Sequence, residues 1–241
     1  MRLSVVIPAY NEARLLPRLL DTIDIARARY AAGPEAIEVI LANNGSTDRT
    51  PDIAAARGCR VVHVTPHVIA TVRNGGAAAA TGSMLAFVDG DMQVHPETFN
   101  AIDAALCEPA IIGGATGIVP ERWSFGIGIA YGVLAVCTAL SKVDAGVTFC
   151  RRRDFNDMGG YDEKRSFAED VDFLLRLKRM GRSRGQRLAQ LHAAKAVFSM
   201  RKFDRYGDWH WWRTMAPLTV SMVLRPHSRN DVVQEYWYER E

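Results

Sequence analysis

The stretch Ser83-Met84-Leu85-Ala86-Phe87-Val88-Asp89-Gly90-Asp91-Met92 decides how the rest of the chain is read. Residues 85–88 form an unbroken apolar run that stops at two carboxylates separated by one glycine. A short apolar run with an abrupt polar stop reads as a buried strand leaving a sheet. In open α/β sheets ligands bind beyond the carboxyl ends of the strands, so Asp89 and Asp91 sit where chemistry is done. Two carboxylates flanking a flexible glycine can converge on one hard divalent cation, and oxygen donors favour Mg2+ or Mn2+ over zinc. Taken alone, the triplet is also an ordinary Asp-Gly turn. The surrounding chain decides between the two.

Upstream, strand and helix alternate. A strand over 3–7 runs into Pro8-Ala9-Tyr10-Asn11-Glu12, and Leu15, Leu16, Leu19, Leu20 and Ile23 then recur at helical spacing. A second strand, 37–42, runs into Asn43-Asn44-Gly45-Ser46-Thr47-Asp48. Thr50 is the expected N-cap of the next helix, with Pro51 at its first position and Gly58 at its end. A third strand, 60–64, leads to Arg73-Asn74-Gly75-Gly76 and an alanine-rich helix that closes by Gly82. This alternation predicts an α/β fold with a mostly parallel central sheet flanked by helices. Right-handed crossovers bring the polar strand ends to one edge, which with Arg73 nearby reads as a nucleotide pocket.

Downstream the texture changes. The apolar segment 125–140 carries three glycines and falls short of the ~20 residues that span a bilayer, so it is expected to be a buried or interfacial helix. A strand over 145–150 precedes Arg151-Arg152-Arg153 and Gly159-Gly160-Tyr161-Asp162-Glu163. The next helix opens on a capping-box pattern, Ser166-x-x-Glu169, with an apolar face of Val171, Leu174, Leu175 and Leu177 and Gly181 as its cap. Glu169 then has a structural task. Asp170 has none, and a first-turn carboxylate kept ionised by the helix dipole suits a general base, with Asp172 as a rival within one turn.

The tail holds Phe203, Tyr206, Trp209, Trp211 and Trp212 beside Arg205 and Arg213, with Pro217 beyond. Its plainer reading is packing on the core or a homodimer contact; the other is rest at a membrane interface beside a lipid-linked acceptor. With 241 residues, 48% of them hydrophobic, the chain can bury a full core, and a formal charge of +3 without a recognised motif argues against a nucleic-acid partner. Cys59, Cys107, Cys137 and Cys150 are scattered, which indicates neither a zinc site nor a disulfide framework. Together with an opening run that stops at Pro8 without a cleavage site, this predicts a cytoplasmic protein, at most at the inner face of the membrane.

Six segments, PAYNEA from Pro8, NNGSTDRT from Asn43, RNGGA from Arg73, FVDGD from Phe87, GGYDE from Gly159 and EDVD from Glu169, together resemble the family-two glycosyltransferases, which have an A-type nucleotide-sugar fold. The resemblance covers residues 3–181. It implies an inverting, metal-dependent transferase that moves a sugar from a nucleotide-diphosphate sugar to an acceptor hydroxyl or phosphate. By that resemblance Pro8, Ala9, Tyr10 and Glu12 would surround base and ribose, with Arg73 on base or phosphates. Asp89 would touch ribose and metal, Asp91 would be the principal metal ligand, and Asp170 would be the base. The chain departs from the family at Asn43 and Asn44, where an Asp is common, so Asn44 would meet the nucleobase as a neutral amide. A further contact would come from His192, Arg201, Lys202 or His210. The expected division is a glycosyltransferase domain over 1–200, with a nucleotide-sugar half over 1–92 and an acceptor half over 93–200, and an extension over 201–241. The competing readings are a sugar-phosphate nucleotidyltransferase and a non-catalytic binding protein on the same fold. The first lacks its Gly-rich phosphate loop after the first strand.

Overall fold

The computed structural model describes residues 2–165 and 168–209. Ser166, His210, Trp211, Trp212, Arg213 and Pro217 therefore lie outside the described residues, as does most of the expected extension. The first half is built from β1 (Leu3–Ala9), α1 (Leu16–Ala28), β2 (Ile37–Asn43), α2 (Thr50–Ala56), β3 (Arg60–His63), α3 (Ile69–Ala79) and β4 (Met84–Phe87). Every residue of β1 and of β4 is buried, because helices cover both faces of the sheet. Leu3, Val5 and Ile7 pack with Leu16, Leu19 and Ile23 of α1, while Val6, Leu85 and Phe87 face α3 and the later helices.

The second half contributes β5 (Met92–Gln93), α4 (Thr98–Cys107), β6 (Ile111–Ala115), β7 (Ile118–Pro120), α5 (Phe125–Ser141), β8 (Thr148–Arg151), α6 (Arg152–Met158), α7 (Glu169–Ser183), β9 (Arg187–Gln190), β10 (Ala196–Phe198) and α8 (Arg201–Tyr206). The large sheet has the order β3-β2-β1-β4-β8-β6-β9. It is parallel as expected, apart from β8, which runs antiparallel to both β4 and β6. A second, three-stranded sheet, β5-β10-β7, stands beside it.

Several local expectations are corrected. Thr50 is the first residue of α2 and not its cap; its hydroxyl is already taken by the Glu12 N–H. Gly58 follows the helix at φ +72°, as expected. Ser166 of the expected capping box lies outside the described residues; Ala168 precedes α7 at φ +51°, and Glu169, the first helical residue, turns its carboxylate inward to Arg73. The buried stripe of α7 is Phe173, Leu174 and Leu177, which leaves Val171 and Leu175 at 42% and 38% exposure. Gly181 lies inside this helix, where an added Cβ would stand 2.9 Å from Ile112 Cγ2, so it is a packing glycine and not a cap. Only Gly126, Ile127 and Ala130 of α5 are buried, so that helix is not a core helix of the described fold. No described helix is long and apolar enough to cross a membrane.

Candidate active site

The strand ends converge as the alternation requires. Ala9 pairs with Asn43, Asn43 with His63 and Val6 with Phe87, and the Val88 N–H continues the ladder to Val6 O at 3.0 Å. The strand order reverses between β1 and β4, which opens a crevice at their carboxyl ends.

Two loops line one side of this crevice and fasten each other. The N–H groups of Asn11, Glu12 and Ala13 donate to Ser46 Oγ (3.0 Å), Thr50 Oγ1 (2.7 Å) and Asp48 Oδ2 (3.0 Å). Burial pushes the Asp48 carboxyl up, but hydrogen bonds from Thr50 and Ala13 outweigh it and hold the group below its ordinary range. Asn44 is buried, and its amide donates to Val64 O (2.9 Å) and Pro66 O (3.2 Å) while its Oδ1 lies 3.1 Å from His67 Nδ1. The Tyr10 ring meets the His67 ring edge-on at 5.4 Å. Asn43 accepts from the Ser46 N–H at 3.0 Å. The two amides thus fasten the loop that leaves β2.

The acidic turn closes the other side. Met92 N–H donates to Asp89 O at 3.1 Å. A Cβ on Gly90 would stand 3.0 Å from Glu12 Cγ, so this turn packs tightly against the Glu12 side chain. Arg73 is buried behind Asp89 and donates to Asp89 Oδ1 (2.7 Å) and to Glu169 Oε1. Its guanidinium lies 5.3 Å from the centre of the Tyr161 ring, which stacks on Phe173 at 4.3 Å within a cluster that includes Phe87 and Phe155. Burial opposes the Arg73 charge, yet Asp89 and Glu169 raise its pKa well above the ordinary value. Burial likewise pushes the Glu169 carboxyl up; Arg73 offsets this and the neighbouring Asp170 adds to it.

Arg201, at the start of α8, reaches Glu12 Oε2 and Asp91 Oδ2, both at 3.0 Å. Of the residues offered for a further contact, Arg201 thus meets the acidic turn's own carboxylate. His192 lies 3.9 Å from Asp144, Lys202 follows Arg201 on α8, and His210 is outside the described residues. Asp170 is half-buried at the N-terminus of α7 and accepts from the Val171 N–H at 2.8 Å. Its rival Asp172 is buried and committed to Arg176 (2.7 Å) and Arg165 (3.2 Å). Sequence reasoning missed the Arg73–Glu169 contact because the local capping pattern already explained Glu169. It could not rank Arg201, which no spacing ties to Glu12.

Five carboxylates, Glu12, Asp89, Asp91, Glu169 and Asp170, thus gather around two guanidinium groups, Arg73 and Arg201. This excess of negative oxygen donors fits a hard divalent cation. Among the described residues no group of three or more His, Cys, Asp or Glu side chains could hold a metal by itself. Asp89 and Asp91 would supply its protein oxygens, with ligand oxygens for the rest, the way Mg2+ is commonly held.

Comparison with known proteins agrees with this architecture. Validoxylamine A glucosyltransferase from Streptomyces hygroscopicus subsp. limoneus is 38% identical over 130 residues, 50% of this chain and 28% of that protein. The chain thus spans less than a third of the length of that relative. Among solved structures, S. aureus TarS 1-349 superposes with a TM-score of 0.64 at 16% identity, covering 100% of this chain and 73% of that one. Glucosyl-3-phosphoglycerate synthase from Mycobacterium tuberculosis, solved with Mn2+, UDP and glucosyl-3-phosphoglycerate, gives a TM-score of 0.64 at 21% identity, covering 92% and 78%. These likenesses show the A-type glycosyltransferase fold. The family model described as "Glycosyl transferase family 2" matches residues 4–212, and the chain belongs to that family.

Proposed function

We propose that the protein transfers a sugar, with inversion, from a nucleotide-diphosphate sugar to an acceptor hydroxyl or phosphate. The observation that carries this reading is the junction at Arg73, where one guanidinium ties Asp89, in the turn beyond β4, to Glu169, the neighbour of Asp170. In this reading Pro8, Ala9, Tyr10, Glu12, Asn44 and Arg73 shape the nucleotide side of the crevice, Arg73 from beneath Asp89. Asp89 and Asp91 hold Mg2+ or Mn2+, and the Mn2+ in the M. tuberculosis synthase structure supports a divalent ion. When bound, the cation would neutralise the diphosphate leaving group. Asp170 takes the acceptor proton as the acceptor oxygen bonds to the anomeric carbon and the bond to the diphosphate breaks, a single displacement that inverts the centre. We keep the catalytic unit at residues 1–200, with Arg201 of the extension reaching back into it. We also propose a peripheral contact with the inner face of a membrane, supported by the exposed apolar surface of α5.

The nucleotidyltransferase alternative needs free backbone N–H groups after β1 to cradle phosphates, and those of Asn11, Glu12 and Ala13 are occupied. A purely binding role leaves the half-buried Asp170 beside the site without a task. The test is an Asp170→Asn variant assayed on whichever nucleotide sugar the parent turns over. Transfer should fall at least ~100-fold while nucleoside-diphosphate affinity, measured by calorimetry, stays at the parent's value. Turnover equal to the parent's would remove Asp170 from the chemistry.

A further inference from the structure

The least explained surface of the molecule is α5. No charged residue occurs from Phe125 to Ser141, yet Phe125, Val136 and Leu140 are 78%, 60% and 81% exposed, and Ile129 and Val133 are 38% exposed. We infer that α5 is a docking helix that rests in the interfacial layer of an anionic bilayer. This rests on the peripheral contact proposed above and assigns that contact to one element.

The width of the exposed face decides between lipid and a second protein surface. Between residues 131 and 140, Gly132, Val133, Ala135, Val136, Cys137, Ala139 and Leu140 are all exposed. Successive helical residues turn by about 100°, so positions 135 to 137 alone span some 200° of the helix. A partner helix would seat on a narrow seam of two residues in seven, whereas a fluid apolar medium wets the whole arc. Among the described residues nothing covers that arc.

The ends of the helix carry the groups that suit a headgroup layer. At one end, exposed Trp123 meets Tyr131 edge-on at 5.2 Å, and exposed Trp209 lies 6.3 Å from Phe125. Tryptophan and tyrosine favour this depth because their rings are amphipathic. At the other end Lys142 is exposed directly after the helix, and Lys178 donates to the Ser141 carbonyl. Asp204 and Asp208, near the Trp209 end, are paired with Arg122, each at 2.7 Å. The cationic end complements anionic headgroups. With 17 residues, about 25 Å, the helix is too short to span and would lie in the plane of the interface.

Docking there has a consequence for the site. Tyr131 donates to Ile118 O of β7 at 3.0 Å. β7 pairs with β10, which delivers Arg201, and β10 pairs with β5, which follows Asp91. A bilayer against α5 would therefore lie on the element rooted in the sheet that carries the acidic turn, a geometry suited to an acceptor anchored in lipid.

The test uses the full chain, without nucleotide, in co-sedimentation with phosphatidylcholine vesicles with and without phosphatidylglycerol. The parent should bind only the anionic vesicles. Val136→Glu with Leu140→Glu should lower partitioning at least ~10-fold, and Lys142→Gln about fivefold with a shallower salt dependence, while Tm and nucleoside-diphosphate affinity do not change. A parent that ignores anionic vesicles overturns both this assignment and the peripheral contact. Binding left intact by the glutamate pair overturns the role of α5 and leaves the peripheral contact standing. A drop of several degrees in Tm for that pair, without ligand, would mean that the chain's own residues cover the face. A concentration-dependent dimer that the pair abolishes, with no vesicle binding by the parent, would mean that a second copy does. Either result overturns the inference.

Discussion

Arg201 holds Glu12 and Asp91 at 3.0 Å each, so it already neutralises a carboxylate that the proposed metal would need. Burial opposes its charge, but Asp91 and Glu12 raise its pKa, and it remains a cation at any working pH. A fixed cation at that position competes with a divalent one. Arg201→Ala should therefore bind Mn2+ without nucleotide on the order of tenfold more tightly than the parent, read by paramagnetic resonance of the free ion. Equal affinities would show that Arg201 does not guard the site.

Arg73 differs, being buried with a carboxylate on either side and an aromatic ring behind it. Arg73→Met should cost about 3–5 kcal/mol in urea unfolding, since the buried Glu169 carboxylate loses its counter-charge, while the half-exposed Asp89 can turn to solvent. Adding Glu169→Gln should recover part of that loss, because one of the two negative charges is then gone. Additive losses would argue against the coupling. At this scale the place of Asp89 and Asp91 beyond a buried strand was legible, because they end a continuous apolar run. The Arg73–Glu169 contact was not, because it joins positions 96 residues apart and depends on how α7 is set against β4.

Among the elements, β1, β2 and β4 declare themselves locally, since a strand buried on both faces must be apolar throughout. The direction of β8 could not be read, because an apolar run has the same composition whichever way it points. In the stripe of α7, Leu174 and Leu177 are buried as expected, but Phe173 is buried where Val171 and Leu175 were expected. Asp172 accompanies that stripe because Arg165 and Arg176 pair with it. The seam between β1, β2 and the turn before β4 hangs on one carboxylate. Glu38 accepts from Ser4 Oγ (2.6 Å), Thr81 N (2.6 Å), Thr81 Oγ1 (2.7 Å) and Gly82 N (3.1 Å). Burial pushes its carboxyl up, but these hydrogen bonds outweigh it and lower the pKa. A carboxyl lowered by folding stabilises fully above its unfolded value of about 4.3 and loses that contribution as pH falls through the lowered one. The Tm gap between parent and Glu38→Gln should thus be constant above about pH 5 and close on further acidification. A gap that is unchanged at low pH would show that the hydrogen bonds do not depend on the charge.

For the whole molecule, the two sheets meet at the acidic turn: β4 of the large sheet ends at Phe87, two residues before Asp89, and β5 of the small sheet begins directly after Asp91. A ligand bridging Asp91 and the loops after β1 and β2 would therefore tie both sheets together, and occupancy should register as global stability. At a nucleoside diphosphate concentration of about 100 Kd, the added stability is about 2.7 kcal/mol. For a chain of this size that raises Tm by roughly 5–10 °C. If Asp89 and Asp91 hold a divalent ion that the diphosphate shares, the rise should need Mn2+ or Mg2+ and vanish in EDTA. Asp91→Ala should keep the parent's Tm without ligand, because its carboxylate is partly exposed and its partner Arg201 retains Glu12. With ligand and metal present, that variant should show little of the rise. A rise of equal size in EDTA would take the metal out of the reading. A rise that persists in Asp91→Ala would move the metal to other oxygens.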